Sequence, residues 1–241
     1  MRYLIFTILT MSMIFTSNAQ FKMKRNGFGV HAGTNAAGLY TITDGYLDGL
    51  TPLNGYESGI RYNLKFGPIG LCSELNYSVI NYNYGPITAQ DLIFATDPVS
   101  GNIISGPLTE SGGQVTLNYI SFPVLLKFYI GGLNIHLGAQ SSYLFGGETT
   151  TDNGVTTLHT DDSQYLDVNG TETWKWNEVD VAAVFGLGID TKMGVYASVR
   201  STVSITPLAN LDFFNAYIST PFGEDDLARL ITSSFSVGYK F

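Results

Sequence analysis

The last eleven residues, Ile231-Thr-Ser-Ser-Phe-Ser-Val-Gly-Tyr-Lys-Phe241, alternate without a break. Ile231, Ser233, Phe235, Val237, Tyr239 and Phe241 share one face; Thr232, Ser234, Ser236, Gly238 and Lys240 share the other. Successive side chains of a strand point to opposite sides, so this period of two is the signature of a strand with one apolar face. It is longer than most strands of a soluble sandwich, and its second face is small and polar with a single charge. The run also ends on an aromatic residue.

The same alternation recurs upstream. Leu133, Ile135, Leu137, Ala139, Ser141, Tyr143 and Phe145 form one apolar face; Val179, Val181, Ala183, Phe185, Leu187 and Ile189 form another. Val195, Ala197, Val199, Val203 and Ile205 give a third, with Tyr196, Ser198, Arg200, Thr202 and Ser204 opposite. Nearer the start stand Ile60, Tyr62, Leu64 and Phe66, then Ile69, Leu71, Leu75, Tyr77 and Val79. A weaker first strand holds Phe28, Val30 and Ala32. In 115–130 the apolar residues move from odd positions (Val115, Leu117, Tyr119) to even ones (Phe122 to Ile130), which predicts a β-bulge near Ile120-Ser121. Pro123 just beyond it suits a bulge, having no N–H for a ladder.

These runs make eight strands, and their connections alternate in length. Gly67-Pro68, Gly131-Gly132 and Thr191–Gly194 are short; 39–55, 83–113, 147–177 and 207–230 are long. Short turns at one end and long loops at the other predict an all-β fold, an eight-stranded antiparallel up-and-down transmembrane β-barrel with periplasmic turns and extracellular loops. Hairpins within 83–113 or 147–177, such as one around Leu92–Phe94, would extend the sheet or raise the strand count to ten. A soluble lipocalin-like barrel is the structural rival, with its apolar faces turned inward.

Composition fits the membrane reading. Of 241 residues only 13% are charged, about half the usual quarter, while aromatics reach 13%. The net charge is -8, and 15 of 20 acidic residues fall in the four long loops, with only Lys175 and Arg229 among the basic ones. A spanning sheet keeps charge off its outer face, since lipid offers no hydrogen-bonding partner. No basic excess points to nucleic acid, and one cysteine, Cys72, rules out a disulfide framework.

Residues 1–19 read as a signal peptide: Arg2, an apolar run from Leu4 to Phe15, then Ser17 and Ala19 before Gln20. The barrel domain is 20–241. Past Phe15 no apolar stretch approaches the roughly 18 residues of a membrane helix.

The inward faces carry Arg61, Lys65, Glu74, Lys127, His136, Asp180, Asp190, Arg200 and Lys240. A barrel of eight strands is only just wide enough for its own side chains, so charges there should pair across the lumen. Glu74 with Arg61 or Lys127, and Asp180 with Arg200, are the expected pairs. The lumen charge network Arg61, Lys65, Glu74, Lys127, Asp180, Asp190 and Arg200 is therefore either a packed polar plug or the lining of a narrow pore.

Leu117-Asn-Tyr-Ile-Ser-Phe-Pro-Val-Leu-Leu-Lys-Phe-Tyr129, Ser73-Glu-Leu-Asn-Tyr-Ser78, the glycine-spaced strand Asp180–Asp190 and the ending Val237-Gly-Tyr-Lys-Phe241 together resemble the PorT-like outer-membrane β-barrel family of Bacteroidota. Ala182 stands where that family commonly has glycine. The resemblance implies an eight-stranded outer-membrane barrel and carries over no functional residue.

Enzymatic chemistry finds little footing. His159, beside Asp161, Asp162 and Ser163, is the one candidate for an acid–base or metal site in a loop, and it reads more simply as a solvated histidine. Asp161-Asp162 and Glu224-Asp225-Asp226 could bind Ca²⁺ or Mg²⁺, or bridge to lipopolysaccharide phosphates, but without established ligand spacing. Trp174 and Trp176, with Tyr165, suggest an interfacial aromatic girdle. The expectation is a non-enzymatic monomer with no metal and no cofactor, in contact with outer-membrane lipid and lipopolysaccharide. It has a structural, adhesion or envelope-assembly role and possible envelope protein partners. A small pore or passive transporter is the alternative, and a barrel enzyme comes third.

Overall fold

The computed structural model describes residues 26–42, 45–46, 50–84, 112–159, 165–168, 171–174, 176–209 and 227–241. The predicted leader 1–19, Leu92–Phe94, Asp161-Asp162 and Glu224–Asp226 lie outside the described residues.

Eight strands close into one barrel: β1 (Gly27–Thr41), β3 (Leu50–Phe66), β4 (Ile69–Tyr84), β5 (Gly113–Ile130), β6 (Leu133–Thr151), β10 (Val179–Asp190), β11 (Val195–Ser204) and β12 (Arg229–Lys240). Every neighbour is antiparallel. β6 pairs with β10, and β1 closes the ring against β12. Four short strands complete the set: β2 (Gly45–Tyr46) on β1, β7 (Thr156–Leu158) on β6, and β8 (Tyr165–Val168) with β9 (Thr171–Trp174) as a separate hairpin. The added hairpins extend the rim while the barrel stays at eight strands. Gly67 and Gly131 take left-handed backbone angles (φ 63° and 64°) in the two tight turns, where a side chain would be strained.

The register fixes the tilt. Stepping across the ladders from Phe28 passes through Tyr62, Ser73, Val124, Ala139, Ala183, Val203 and Ile231 and returns to β1 at Gly38, ten residues on. A shear of ten over eight strands inclines the strands by about 43° to the barrel axis.

Outward side chains form a continuous apolar band. Ile120, Phe122, Val124, Leu126, Phe128 and Ile130 are exposed on β5, as are Leu133, Ile135 and Leu137 on β6 and Phe235 and Val237 on β12. Ten steps along a strand at this tilt cover about 25 Å, the height of a membrane's apolar zone. Aromatic contacts edge the band. Tyr56, Tyr77 and Phe145 run along the upper margin at 6.1 and 5.8 Å between ring centres. Phe28 with Tyr62 (4.7 Å) and Tyr239 with Phe241 (5.5 Å) mark the lower one. Contrary to the expectation from the sequence, Trp176 does not join this girdle, and the side chains of Tyr165 and Trp174 lie outside those described. It packs, partly buried, on an apolar cluster inside the upper barrel.

That cluster corrects the predicted bulge. On β5 the odd residues face inward from Gly113 to Tyr129 without a frame shift, and the β4–β5 register is regular through the region. Val115, Leu117 and Tyr119 are buried inside the barrel with Ala37, Leu39, Ile80, Tyr82, Leu144 and Leu230. Below them the interior is polar and the exterior apolar; above them the polarity inverts, with Asn54, Gln114 and Glu148 exposed outside. What looked like a change of frame is the strand leaving the membrane. The real irregularity lies next door, where the β5–β6 register slips between Asn118 and Tyr119 and Phe145 is the extra residue on β6.

Candidate functional site

Among the described residues, the charged lumen is where the fold gathers its chemistry. Arg61, Glu74, Lys127, Asp190 and Arg200 are all buried, each 5% exposed or less. Desolvating so many charges is costly unless each finds a partner.

Two ion pairs span the barrel. Arg200 Nη1 and Nη2 donate to Glu74 Oε2 and Oε1 at 2.8 and 3.1 Å, a bidentate fork. Arg61 Nη2 donates to Asp190 Oδ1 at 2.9 Å. Glu74 on β4 and Arg200 on β11 stand four strands apart in the ring of eight, as do Arg61 on β3 and Asp190 on β10. Both pairs therefore cross a full diameter. The expected pairs, Glu74 with Arg61 or Lys127 and Asp180 with Arg200, are not the ones formed. Arg61 and Glu74 do face each other across the β3–β4 ladder, yet each reaches over the lumen instead. In so narrow a ring a long side chain reaches the far wall as readily as its neighbour.

Other groups fill the space between. The Arg61 guanidinium lies over the Tyr196 ring, 3.0 Å from its centre, and Lys65 Nζ lies 3.6 Å over Tyr129. Tyr129 donates its hydroxyl hydrogen to Asn63 at 3.2 Å. His31 stands 4.0 Å from Glu74 and 3.3 Å from the Tyr196 hydroxyl. His136 pairs with Asn134 at 3.1 Å and lies opposite Lys127 on the β5–β6 ladder. Asp180, half-buried, accepts from Ser204 Oγ at 3.1 Å. The ring of Tyr196 fits only because position 238 is glycine. A Cβ there would collide with it and with the Val30 carbonyl oxygen.

Above the ion pairs and below the apolar cluster lies a polar cavity of about 40 Å³, bordered by Asn35, Glu57, Asn76, Gln140, Asp180 and Arg200. It has room for one or two waters. Asn35 Oδ1, Glu57 Oε1 and Asn76 Oδ1 are buried without a protein hydrogen-bond partner, and all three belong to its lining. Neither Glu57 nor His31 stands out in the sequence as a lumen residue. Glu57 shares its parity with Arg61, but the flanking Gly55 and Gly59 weaken the pattern, and the strand expected from the sequence begins at Ile60 where β3 begins at Leu50.

This arrangement packs and fills the lumen. Cys72 is fully buried with its thiol 3.7 Å from Glu74. His159 sits in the turn after β7, its N–H on the Gly147 carbonyl at 3.0 Å, while Asp161, Asp162 and Ser163 lie outside the described residues. Among the described residues no three His, Cys, Asp or Glu side chains gather into a metal site.

Residues 18–210 match the family described as outer membrane protein beta-barrel domain. No curated protein matches the chain. Similar solved structures include Ail, the attachment invasion locus protein of Yersinia pestis, crystallised with the heparin analogue sucrose octasulfate. It is 13% identical, with 90% of this chain and 99% of that one covered and a TM-score of 0.44. Neisserial surface protein A is 12% identical, with 89% and 97% covered and a TM-score of 0.47. CarO of Acinetobacter baumannii is 14% identical, with 87% and 97% covered and a TM-score of 0.33.

Proposed function

This chain belongs to the outer membrane protein beta-barrel domain family, and on that premise we propose a non-enzymatic, non-conducting role as an outer-membrane scaffold that presents its long-loop rim to adhesion or envelope-assembly partners. The observation that carries the reading is the pair of diametral ion pairs, Glu74–Arg200 and Arg61–Asp190, set in a packed lumen. A conducting barrel needs a continuous aqueous path, and here charged side chains meet in the middle of it. The apolar cluster in the upper lumen supports the same reading, since it narrows the path above the ion pairs.

The presented surface is built rather than loose. β6 continues from Leu144 to Thr151 beyond its last partner on β10, and β7 pairs along that continuation. With 15 of 20 acidic residues in the long loops, this rim favours partners that are basic or that bridge through divalent cations, lipopolysaccharide included. Within the family we place the chain in the PorT-like branch of Bacteroidota on the motifs quoted above, as a monomer whose leader is cleaved after Ala19.

Purified, refolded protein in planar bilayers tests the reading. It should produce no steady current, and reproducible ion-selective steps would replace the scaffold by a small pore. Crosslinking in intact cells, followed by purification, should capture envelope components on the rim.

A further inference from the structure

The lipid-facing wall is not uniform. On the lower half of β5, β6, β10, β11 and β12 lies an open cleft of about 480 Å³, almost wholly apolar, among Phe128, Leu133, Leu187, Ile189, Val199 and Phe235. Ala197 makes the depression: a methyl group stands beside Ile189 on one ladder and Val237 on the other, with Phe235 on the rim. Its volume falls in the range of roughly 300–1,000 Å³ that holds small ligands.

The cleft reaches the short-turn end, where Ile130, Leu133 and Ile189 of its wall adjoin the turns. Lys192 is exposed in the turn Thr191–Gly194, which joins the two strands that carry Ile189 and Ala197. Met193 beside it is 80% exposed, an apolar side chain at the membrane margin. Lys192 stands three residues beyond Ile189 of the cleft wall, while Lys127, Asp190 and Lys240 near this end are buried in the lumen, on the other side of that wall. The exposed carboxylates of Glu148 and Asp152 sit at the opposite end.

We propose that this cleft retains one anionic phospholipid of the periplasmic leaflet, its acyl chain lying over Ala197 and its phosphate against the Lys192 turn. The occupant follows from the two halves of the site. The apolar half lies inside the membrane band, where acyl chains are the available matter, and the mouth carries positive charge that a zwitterionic headgroup matches less well. A lysine near a membrane surface contributes about 1 kcal/mol toward an anionic lipid, which is about fivefold in retention. The inference rests on the outer-membrane reading and is independent of whether the lumen conducts.

The test uses the full barrel reconstituted with phosphatidylglycerol or with phosphatidylethanolamine of the same acyl chains. After exchange into mild detergent, native mass spectrometry counts the lipid that remains bound. Wild-type barrel should keep one phosphatidylglycerol and lose phosphatidylethanolamine. K192E should reduce retention by fivefold or more, and A197F, which fills the cleft, should abolish it. A32F, an equal change on the outer face of β1, should leave it unchanged. Heat-modifiable gel mobility establishes that each variant is folded, and K192E, being in a turn, keeps the test open if A197F does not fold. Equal retention of both lipids, or retention unaltered by K192E, overturns the proposal. Loss of retention with a silent bilayer record leaves the scaffold reading untouched, so the two fail separately.

Discussion

Glu74 and Arg200 meet across the whole width of the barrel, joined by two hydrogen bonds of 2.8 and 3.1 Å between strands that share no ladder. Each is also the other's means of staying charged in a place without bulk water. Replacing Glu74 by Ala should cost about 3–5 kcal/mol, because it strands a buried guanidinium. Converting both residues to Met should cost much less. Urea titration of the folded band on a cold gel, single against double variant, measures the difference.

The plug makes a second prediction. Removing both diametral pairs at once, with Ala at Glu74, Arg200, Arg61 and Asp190, should turn a silent barrel into a leaky one. Bilayer recordings of the folded quadruple variant read this directly. Silence in that variant would assign closure to the apolar cluster around Leu117 and Leu144 instead.

The inversion of polarity along β5 can be tested on one strand and one face. Val124 and Gln114 both point outward. Val124→Arg places a charge at the depth of the membrane's middle and should destabilise by about 2–4 kcal/mol. Gln114→Arg stands above the band and should stay within about 0.5 kcal/mol. Equal costs would mean that the membrane margin lies elsewhere.

Gly238 leaves room for Tyr196. Gly238→Ala should destabilise by about 1–3 kcal/mol through overpacking. Adding Tyr196→Ala should recover only part of the loss, since the Val30 carbonyl oxygen is also in the way. Folded-band titration of the two variants separates ring from backbone.

Cys72, with none of its surface exposed, should resist maleimide in the folded barrel and react at once in urea. Labelling of the folded protein at a comparable rate would show that the lumen admits small reagents.

The strands were legible in the sequence because lipid imposes a simple rule: every second residue apolar or small, and no charge on that face. Val179–Ile189 and Ile231–Phe241 display it openly. The rule lapses where the strands leave the membrane. There β5 keeps its register but reverses its environment, so Val115 and Leu117 looked like members of a shifted frame. The ion pairs were out of reach for another reason. Which wall Arg61 meets depends on shear and on side-chain reach, and neither is written in local alternation. Glycines hid Glu57 in the same way, by leaving its strand without large side chains to mark it.

Seven of the eight joints in this ring are held by a connection along the chain; the joint between β1 and β12 is not. Its twelve residue pairs, from Gly29 with Lys240 to Tyr40 with Arg229, unite segments about two hundred residues apart, and the Phe241 N–H finishes the row on the Phe28 carbonyl. Bringing such distant segments together costs on the order of 5 kcal/mol of chain entropy before any pair forms. Closure is therefore a late and cooperative act: an unclosed sheet has two raw edges, and its intermediate states have nothing to rest on until both vanish together. The same joint that makes assembly slow makes the finished ring reluctant to open, so its endurance in the envelope is a matter of rate as much as of depth.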